Sequence, residues 1–512
     1  MVSPKQHIGK TMVVEGSKPI HSKSQIKTNI YFSDYFHIDP MVLDQYGAFN
    51  ISVINDLPLF IDPFLLFTSK KVEYQNLHKE MIHYLRFLRD KSLSQEIDEG
   101  LLHAWFLFQE VKQTWFGFSK KGNNGSGLGR DFAIALNQNL VRVFRNFGDE
   151  SITKGGHLEK LCLISEGVGR DNISDFSTNL IKGFLAEFTQ KFAIENIGYE
   201  YRKKFNVPKT QFNFQTEKWE SSLFELPNCE GDFILLTPKD LLTKDTIWIN
   251  REDLIDHFSE IEDSVTDVQL RSELNNYLVK EIPEKALQGE KKKVYSRAYR
   301  QFPELLEYYI KYKEDNGDEA ISTSKLKVME TKQLYHDQVI ELIGYLLCNT
   351  SFYEKKGDTL SEANDRVIFM KRVIEDMDGY KLFYVNGEPI KRETDLHIIF
   401  KFTWFASPSD VNSEVNNGRG PVDFKISRGN FDKTLIEFKL ASNTQLKRNL
   451  ENQVEIYKKA NNTKKAIKVI LYFSEQELLR VRSILEELEL VNETNIILID
   501  ARADNKPSAS KA

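Results

Sequence analysis

Three charged residues stand inside two runs that read as β-strands: Asp423 in "PVDFKIS", and Glu437 and Lys439, two apart, in "KTLIEFKL". Charge is costly in a strand that packs on a core, so each needs a reason for its place. Carboxylates at the end of one strand and the middle of its neighbour can meet around a hard divalent cation, which selects oxygen ligands. Beside a phosphodiester, such an ion makes water nucleophilic near neutral pH and stabilises the charge developing on phosphate and leaving oxygen. Period-two alternation puts Leu435, Glu437 and Lys439 on one face of the strand and Ile436, Phe438 and Leu440 on the other. The apolar triplet then anchors in the core while the acid and the ammonium project together. An ammonium there can orient the attacking water and stabilise a phosphorane-like transition state, without settling which group takes the proton.

The next run, "TQLKRNLENQVEIYKKA", has helical spacing. Asn449, Gln453 and Tyr457 recur every four residues and share a face, beside an apolar stripe of Leu446, Leu450 and Val454. With that stripe on the sheet, Gln453 lies near the acids, suited to hold a water or a phosphate, and Tyr457 supports it or packs against nucleic acid. The chain as a whole carries a net charge of -6, but Arg419 to Lys468 holds twelve Lys/Arg against five Asp/Glu, a balance of +7. Arg419, Lys425, Lys447 and Arg448 are the cations of this segment that read as nucleic-acid contacts. The plainer alternative makes Glu437 and Lys439 a charge pair on a solvated sheet face and Asp423 a turn acid.

These side chains need a scaffold, and the flanking sequence supplies one. "YKLFYVNGEPI" carries Asn386-Gly387 between apolar runs, the signature of a tight hairpin. "RETDLHIIFKFTWF" reads as a helix, "DVNSEV", "PVDFKIS" and "KTLIEFKL" as three strands, and the Asn449 run as a helix. A strand "KAIKVILYF", a helix "EQELLRVRSILEELEL" and a strand "NIILID" follow. The order predicts an α/β domain over residues 378–501, an αβββαβ core around a mixed sheet.

The remainder is less specific. At 512 residues the chain exceeds what one core usually serves, and 41% hydrophobic with 28% charged residues suits a folded protein. Residues 1–28 read as a flexible arm, 29–250 as an α+β domain, 251–377 as a helical region and 502–512 as a disordered tail. Within 29–250, "KTNIYFSDYF", "GAFNISVIN" and "LPLFIDPFLLF" read as short strands. "NLHKEMIHYLRFLRD" and "EIDEGLLHAWFLFQEVKQTWFGF" read as helices, with Trp105, Phe108 and Trp115 as core. Gly125, Gly127 and Gly129, near Lys120, Lys121 and Arg130, form a loop whose backbone could approach a phosphate, but no GK[ST] follows. Glu166, Arg170, Asp171 and Asp175 crowd a junction before a helix expected near Phe176, capped by Asp171, Ser174 or Asp175. The lysine-rich "EKALQGEKKKVYSRAYRQF" reads as a solvated helix and "EDNGDEAISTSK" as a loop. Cys162, Cys229 and Cys348 lie far apart with no CxxC pair, which suits free thiols in the cytoplasm. No apolar run reads as a membrane span.

The C-terminal pattern resembles the PD-(D/E)XK nuclease superfamily with its restriction-endonuclease-like fold, most closely the RecB-type branches. Gly420-Pro421-Val422-Asp423 looks like their GxxD element, Glu437-Phe438-Lys439 like ExK, and Gln453 to Tyr457 like QxxxY. The resemblance implies that Asp423 and Glu437 bind Mg²⁺, with Mn²⁺ able to substitute and the Phe438 carbonyl as a further ligand. Lys439 then positions water, and Gln453 completes the catalytic set. It also implies an acid or histidine from the preceding helix, for which Glu393, Asp395 and His397 are available, and of these Glu393 and His397 are four apart and share a face. The implied activity is a Mg²⁺-dependent deoxyribonuclease leaving a 5′-phosphate, in a setting such as defence against phage or foreign DNA. The partners expected are DNA and, beside it, a regulatory protein or a second copy of the chain. A non-catalytic nucleic-acid or partner-binding module on the same fold is the alternative, and an RNA-cleaving enzyme a third reading.

Overall fold

The computed structural model describes residues 30–117, 128–143, 150–164, 168–283, 286–350, 352–353, 357–404, 407, 409–416, 421–428, 432–451 and 465–506. The protein is of mixed α/β class. Near the C-terminus, five strands form one sheet in the order Ile496–Asp500, Ala466–Tyr472, Asp432–Leu440, Pro421–Arg428, Asp410–Asn416. The last three pair antiparallel, whereas Asp432–Leu440 pairs parallel with Ala466–Tyr472, and that strand parallel with Ile496–Asp500. Every residue of Ala466–Tyr472 is buried, as expected of a central parallel strand covered on both faces.

Alternation divides the sheet into two apolar layers. Ile436, Phe438 and Leu440 join Ile467, Val469 and Leu471 in the large core, against helices Thr359–Asp376 and Glu393–Thr403. Ile470 and Tyr472 face the other way, onto Leu446 and Leu450 and onto Leu478, Val481 and Leu485 of helix Glu475–Glu487. The Asn386-Gly387 turn is formed with φ of 52° and 83° between Tyr384–Val385 and Glu388–Pro389.

Helix Thr359–Asp376, expected to end the helical middle region, is bound to this sheet. Thr359 donates through its backbone N–H and its hydroxyl to Asp432 at 2.9 and 2.7 Å, and Glu375 Oε1 accepts from the Asp500 N–H at 2.7 Å. Buried Glu362 takes Arg428 at 2.6 Å and Arg366 at 3.0 Å. The Arg366 guanidinium lies over the rings of Phe352 and Trp404, each at 4.6 Å. The tail is also tied down in part, since Arg502 pairs with Asp500 and Glu475 instead of lying in a disordered segment.

Several N-terminal expectations are corrected. "KTNIYFSDYF" becomes helix Phe32–Tyr35, and "GAFNISVIN" makes only isolated bridges. In "LPLFIDPFLLF" the strand is Leu59–Ile61, after which Asp62 accepts from the Phe64 N–H and caps helix Pro63–Thr68. The long helix expected over 96–118 stops after Glu99–Leu101 and a π-turn, Leu102–Phe106, although Trp105 and Phe108 are buried as core. Helix Arg170–Leu180 starts well before Phe176, so Ser174 and Asp175 lie within it, and Ser174 Oγ accepts from the Ile61 N–H at 2.9 Å. Burial, then the charges of Glu110 and Asp171, push the Asp175 carboxyl up to about 7. "EDNGDEAISTSK" is largely helical, shared between Leu305–Asp315 and Gly317–Lys332. The hairpin Arg202–Asn213 with Lys218–Cys229 was not anticipated. Residues 1–28, Gly125, Gly127, Lys120, Lys121 and Glu166 lie outside the described residues.

One contiguous buried cluster runs from Ile30 through the helical region to Ala501. Helix Glu393–Thr403 is part of that junction: Lys401 Nζ donates to Asn55 Oδ1 at 2.8 Å and Arg392 pairs with Asp245.

Candidate active site

The site forms where two strands part. Regular pairing between Pro421–Arg428 and Asp432–Leu440 ends at Phe424 opposite Ile436. Beyond that point the Asp423 carboxylate takes over from the backbone, and its Oδ2 accepts the Phe438 N–H at 2.6 Å. Alternation sends Glu437 and Lys439 to the side opposite Ile436, Phe438 and Leu440, as the pattern of the strand requires. Helix Glu393–Thr403 adds two side chains four residues apart, hence on one face.

Lys439 Nζ is the focus of three carboxylates. It stands 3.2 Å from Glu393 Oε2, 3.4 Å from Glu437 Oε1 and 3.7 Å from Asp423 Oδ2. His397 Nε2 lies 3.2 Å from the same Asp423 oxygen, outside hydrogen-bond angles, and its Nδ1 has no hydrogen-bond partner among the described residues. Asp423 and Glu437 are buried.

Their titration follows from burial and from these neighbours. For Glu437, burial outweighs the Lys439 ammonium, and with the Asp423 charge it pushes the carboxyl up to about 7. For Asp423, burial acts upward but is overcome by His397, Lys439 and the Phe438 N–H, which hold the carboxyl below the usual range. Burial likewise opposes charge on His397, yet Asp423 beside it holds the imidazole above its usual value. Lys439 is held well above the ordinary range because its carboxylate neighbours outweigh burial.

The remaining expected site residues divide into three groups. Asp395 points elsewhere, buried and bonded to Tyr335 Oη and to Arg392. Asn449 lies half-buried in the helical segment 446–451 and is not hydrogen-bonded to the acids, while Gln453, Tyr457 and Arg419 lie outside the described residues. Lys425 is half-buried in the Asp423 strand, Arg448 is exposed, and exposed Lys447 pairs with Glu487.

Two residues of the site were not foreseen. Asn443 Nδ2 donates to Glu393 Oε1 at 2.6 Å while its Oδ1 accepts the Gln445 N–H at 2.7 Å, an Asx turn that "ASNTQ" could have signalled. Lys468 sits opposite Glu437 in the parallel ladder, buried, with Nζ donating to the Leu450 carbonyl at 2.9 Å. The signal that could have found it is the one used for Glu437 and Lys439: Lys468 is the lone charge inside the apolar strand run "AIKVILYF".

Among the described residues no group of three or more His, Cys, Asp and Glu side chains is spaced to hold a metal ion. The Lys439 ammonium stands where the carboxylates converge. In donor type the set still suits a hard cation: three carboxylates, one of them buried with a raised pKa, and an imidazole with an unpartnered nitrogen. Among the described residues no helix is long and apolar enough to cross a membrane.

Residues 37–250 match a family described as a domain of unknown function, DUF8370, and residues 359–475 match another, DUF8371. The second match begins at the helix bound to the sheet and includes Glu393, Asp423, Glu437 and Lys439. No curated protein and no solved structure matches the chain.

Proposed function

We propose that the C-terminal sheet carries a metal-dependent phosphodiesterase acting on DNA, a nuclease of the PD-(D/E)XK kind. The observation that carries this reading is the convergence of Asp423, Glu437 and Glu393 on Lys439 at the fork between two strands. Ordinary surface ion pairs contribute little and are scattered, whereas one half-buried ammonium facing three carboxylates, two of them buried, is an arrangement a fold retains for a purpose. Asp423 and Glu437 would hold Mg²⁺, or Mn²⁺ in its place, with the Phe438 carbonyl as the further ligand that the resemblance implies. The bound ion would supply activation of water and neutralisation of charge on the phosphate.

This chain's own groups do the rest. The Phe438 N–H fixes the orientation of Asp423, and Asn443 fixes Glu393. Lys439, turned from between the carboxylates, donates to the attacking water or to a phosphate oxygen. Lys425 and Arg448 lie on the same C-terminal segment and offer charge to the nucleic-acid backbone. A cytoplasmic setting goes with the three free cysteines, and a defence role against foreign DNA rests on analogy with other fusions of this nuclease type.

The test is plasmid nicking by the purified full chain with Mg²⁺ or Mn²⁺. Asp423→Ala and Lys439→Ala should each lower the rate by about 10²-fold or more. Equal cutting by wild type and Lys439→Ala would remove the assignment, and matched DNA and RNA substrates separate deoxyribonuclease from ribonuclease. The ammonium at the focus is itself the observation favouring a second reading, a non-catalytic module binding nucleic acid. That reading predicts retarded DNA migration without cleavage in any divalent metal.

A further inference from the structure

Glu393 and His397 face the site, and Asp395, between them in sequence, faces away from it on the same helix, Glu393–Thr403. Asp395 is buried, 5% exposed, and two groups hold its carboxylate. Tyr335 Oη donates to Oδ1, and Arg392 Nη2 donates to the same oxygen at 2.8 Å. Arg392 then pairs through Nη1 with Asp245. These side chains link the first turn of the site helix to two distant parts of the chain.

Both distant partners stand on irregular backbone. Tyr335 lies in the π-turn Gln333–Asp337, between helices Gly317–Lys332 and Gln338–Asn349, a feature frequent at functional positions. Asp245 follows strand Leu242–Lys244 with φ of 75°, a left-handed backbone that costs energy in a residue carrying a side chain. The same strand end reaches Tyr335 as well, since Lys244 Nζ lies 5.5 Å from the centre of its ring. At the far end of the site helix, Lys401 Nζ donates to Asn55 Oδ1 at 2.8 Å. Tyr31, whose ring is 6.0 Å from that of Phe402, donates through its hydroxyl to the Tyr335 carbonyl. The N-terminal region thus holds the site helix at both ends.

We propose that Asp245 and Tyr335 are positioning residues for the reaction: through Arg392 and Asp395 they fix the rotation of the helix that sets Glu393 against Lys439 and His397 against Asp423. This role rests on the nuclease reading of the site. Glu393 and Asp395 are two residues apart on one rigid helix. A rotation that loosens Asp395 from Tyr335 therefore carries Glu393 away from its contacts, 3.2 Å to Lys439 and 2.6 Å to Asn443. A displacement of about 1 Å at a reacting centre can cost on the order of 10²-fold in rate. By this route the N-terminal region acts on cutting without touching substrate.

Single-turnover cleavage and DNA binding by the full chain, with Mg²⁺ or Mn²⁺, test it in Tyr335→Phe and Asp245→Ala. Each should lower the cleavage rate of bound DNA about tenfold, with DNA affinity unchanged within about twofold. In a Glu393→Gln background, where that carboxylate no longer has a charge to place, Tyr335→Phe should slow cleavage by less than about threefold. Arg392→Lys, which keeps the charge but not the planar fork, should cut at a rate between wild type and Arg392→Ala. Hydrogen exchange followed by mass spectrometry reads the placement without any cleavage: amides of Glu393–Thr403 should exchange faster in both variants, with the sheet unchanged. Unchanged rates in an active chain, affinity falling in step with rate, or the full slowing retained in the Glu393→Gln background overturns the proposal and leaves the nuclease reading standing. A wild-type chain that cuts neither DNA nor RNA sinks the nuclease reading, and exchange alone then decides: faster exchange confined to this helix keeps the placement, and unchanged exchange overturns it.

Discussion

At the scale of single residues, the ammonium of Lys439 has two consequences that can be separated. It compensates three carboxylates, so Lys439→Ala should unfold at lower temperature than wild type in a chelator. Added Mg²⁺ or Mn²⁺ should restore the variant by more degrees than it raises wild type, because the ion takes over the missing charge. Scanning fluorimetry with and without metal reads this, and an equal metal response in both proteins would count against cation binding at the focus. Asp56 offers a pH test away from the site. It is buried with neither carboxylate oxygen hydrogen-bonded among the described residues, and burial, with Glu110 adding to it and Lys401 opposing, pushes its carboxyl up to about 8. A folded-state pKa above the unfolded value of about 4 means that its contribution is complete below pH 4 and lost as pH rises through about 8. Asp56→Asn cannot titrate, so its stability relative to wild type should rise between pH 5 and pH 9 by an amount on the order of a few kcal/mol. Denaturant midpoints at the two pH values measure it.

At the scale of elements, the strand pattern around Asp423 and Glu437 was readable because alternation is a local property of the chain. The same holds for the Asn386-Gly387 turn, whose positive φ values suit those residue types. What was not readable was helix Thr359–Asp376, whose amphipathic spacing shows an apolar face but not what that face meets. Its attachment depends on Glu362, buried between Arg366 and Arg428 and accepting from Ser407 and Ser409 at 2.7 and 2.6 Å. Glu362→Ala would leave two guanidinium groups without their carboxylate and should cost about 3–5 kcal/mol, read as a shift in urea midpoint. The N-terminal differences have the opposite origin. "KTNIYFSDYF" has strand composition, yet Tyr31 and Phe32 are wholly buried by long-range packing, and tertiary context overrode propensity.

At the scale of the whole molecule, one buried apolar cluster is continuous from Ile30 to Ala501. The helix that supplies Glu393 and His397 to the site carries Phe402, whose ring lies 6.0 Å from that of Tyr31 on the N-terminal side. Arg392 and Lys401 on the same stretch reach Asp245 and Asn55. A fragment of residues 357–506 should therefore expose apolar surface and aggregate, while the full chain unfolds in one cooperative calorimetric transition. Well-separated transitions, or a soluble and stable fragment, would show that the junction is weaker than its packing implies.

By itself the sequence determined the period-two faces of the site strands, the segregation of Glu437 and Lys439 from Ile436, Phe438 and Leu440, and the order of elements in the C-terminal sheet. These follow from backbone geometry, which acts over a few residues. Spacing already put Glu393 and His397 on one helix face, apart from Asp395, and only the tertiary structure decided that this face turns to the site and what each group meets there. Tyr335 and Arg392 claim Asp395, leaving Glu393 for Lys439 and His397 for Asp423. It also decided that an ammonium stands at the focus of the acids, since that depends on contacts between residues distant in the chain.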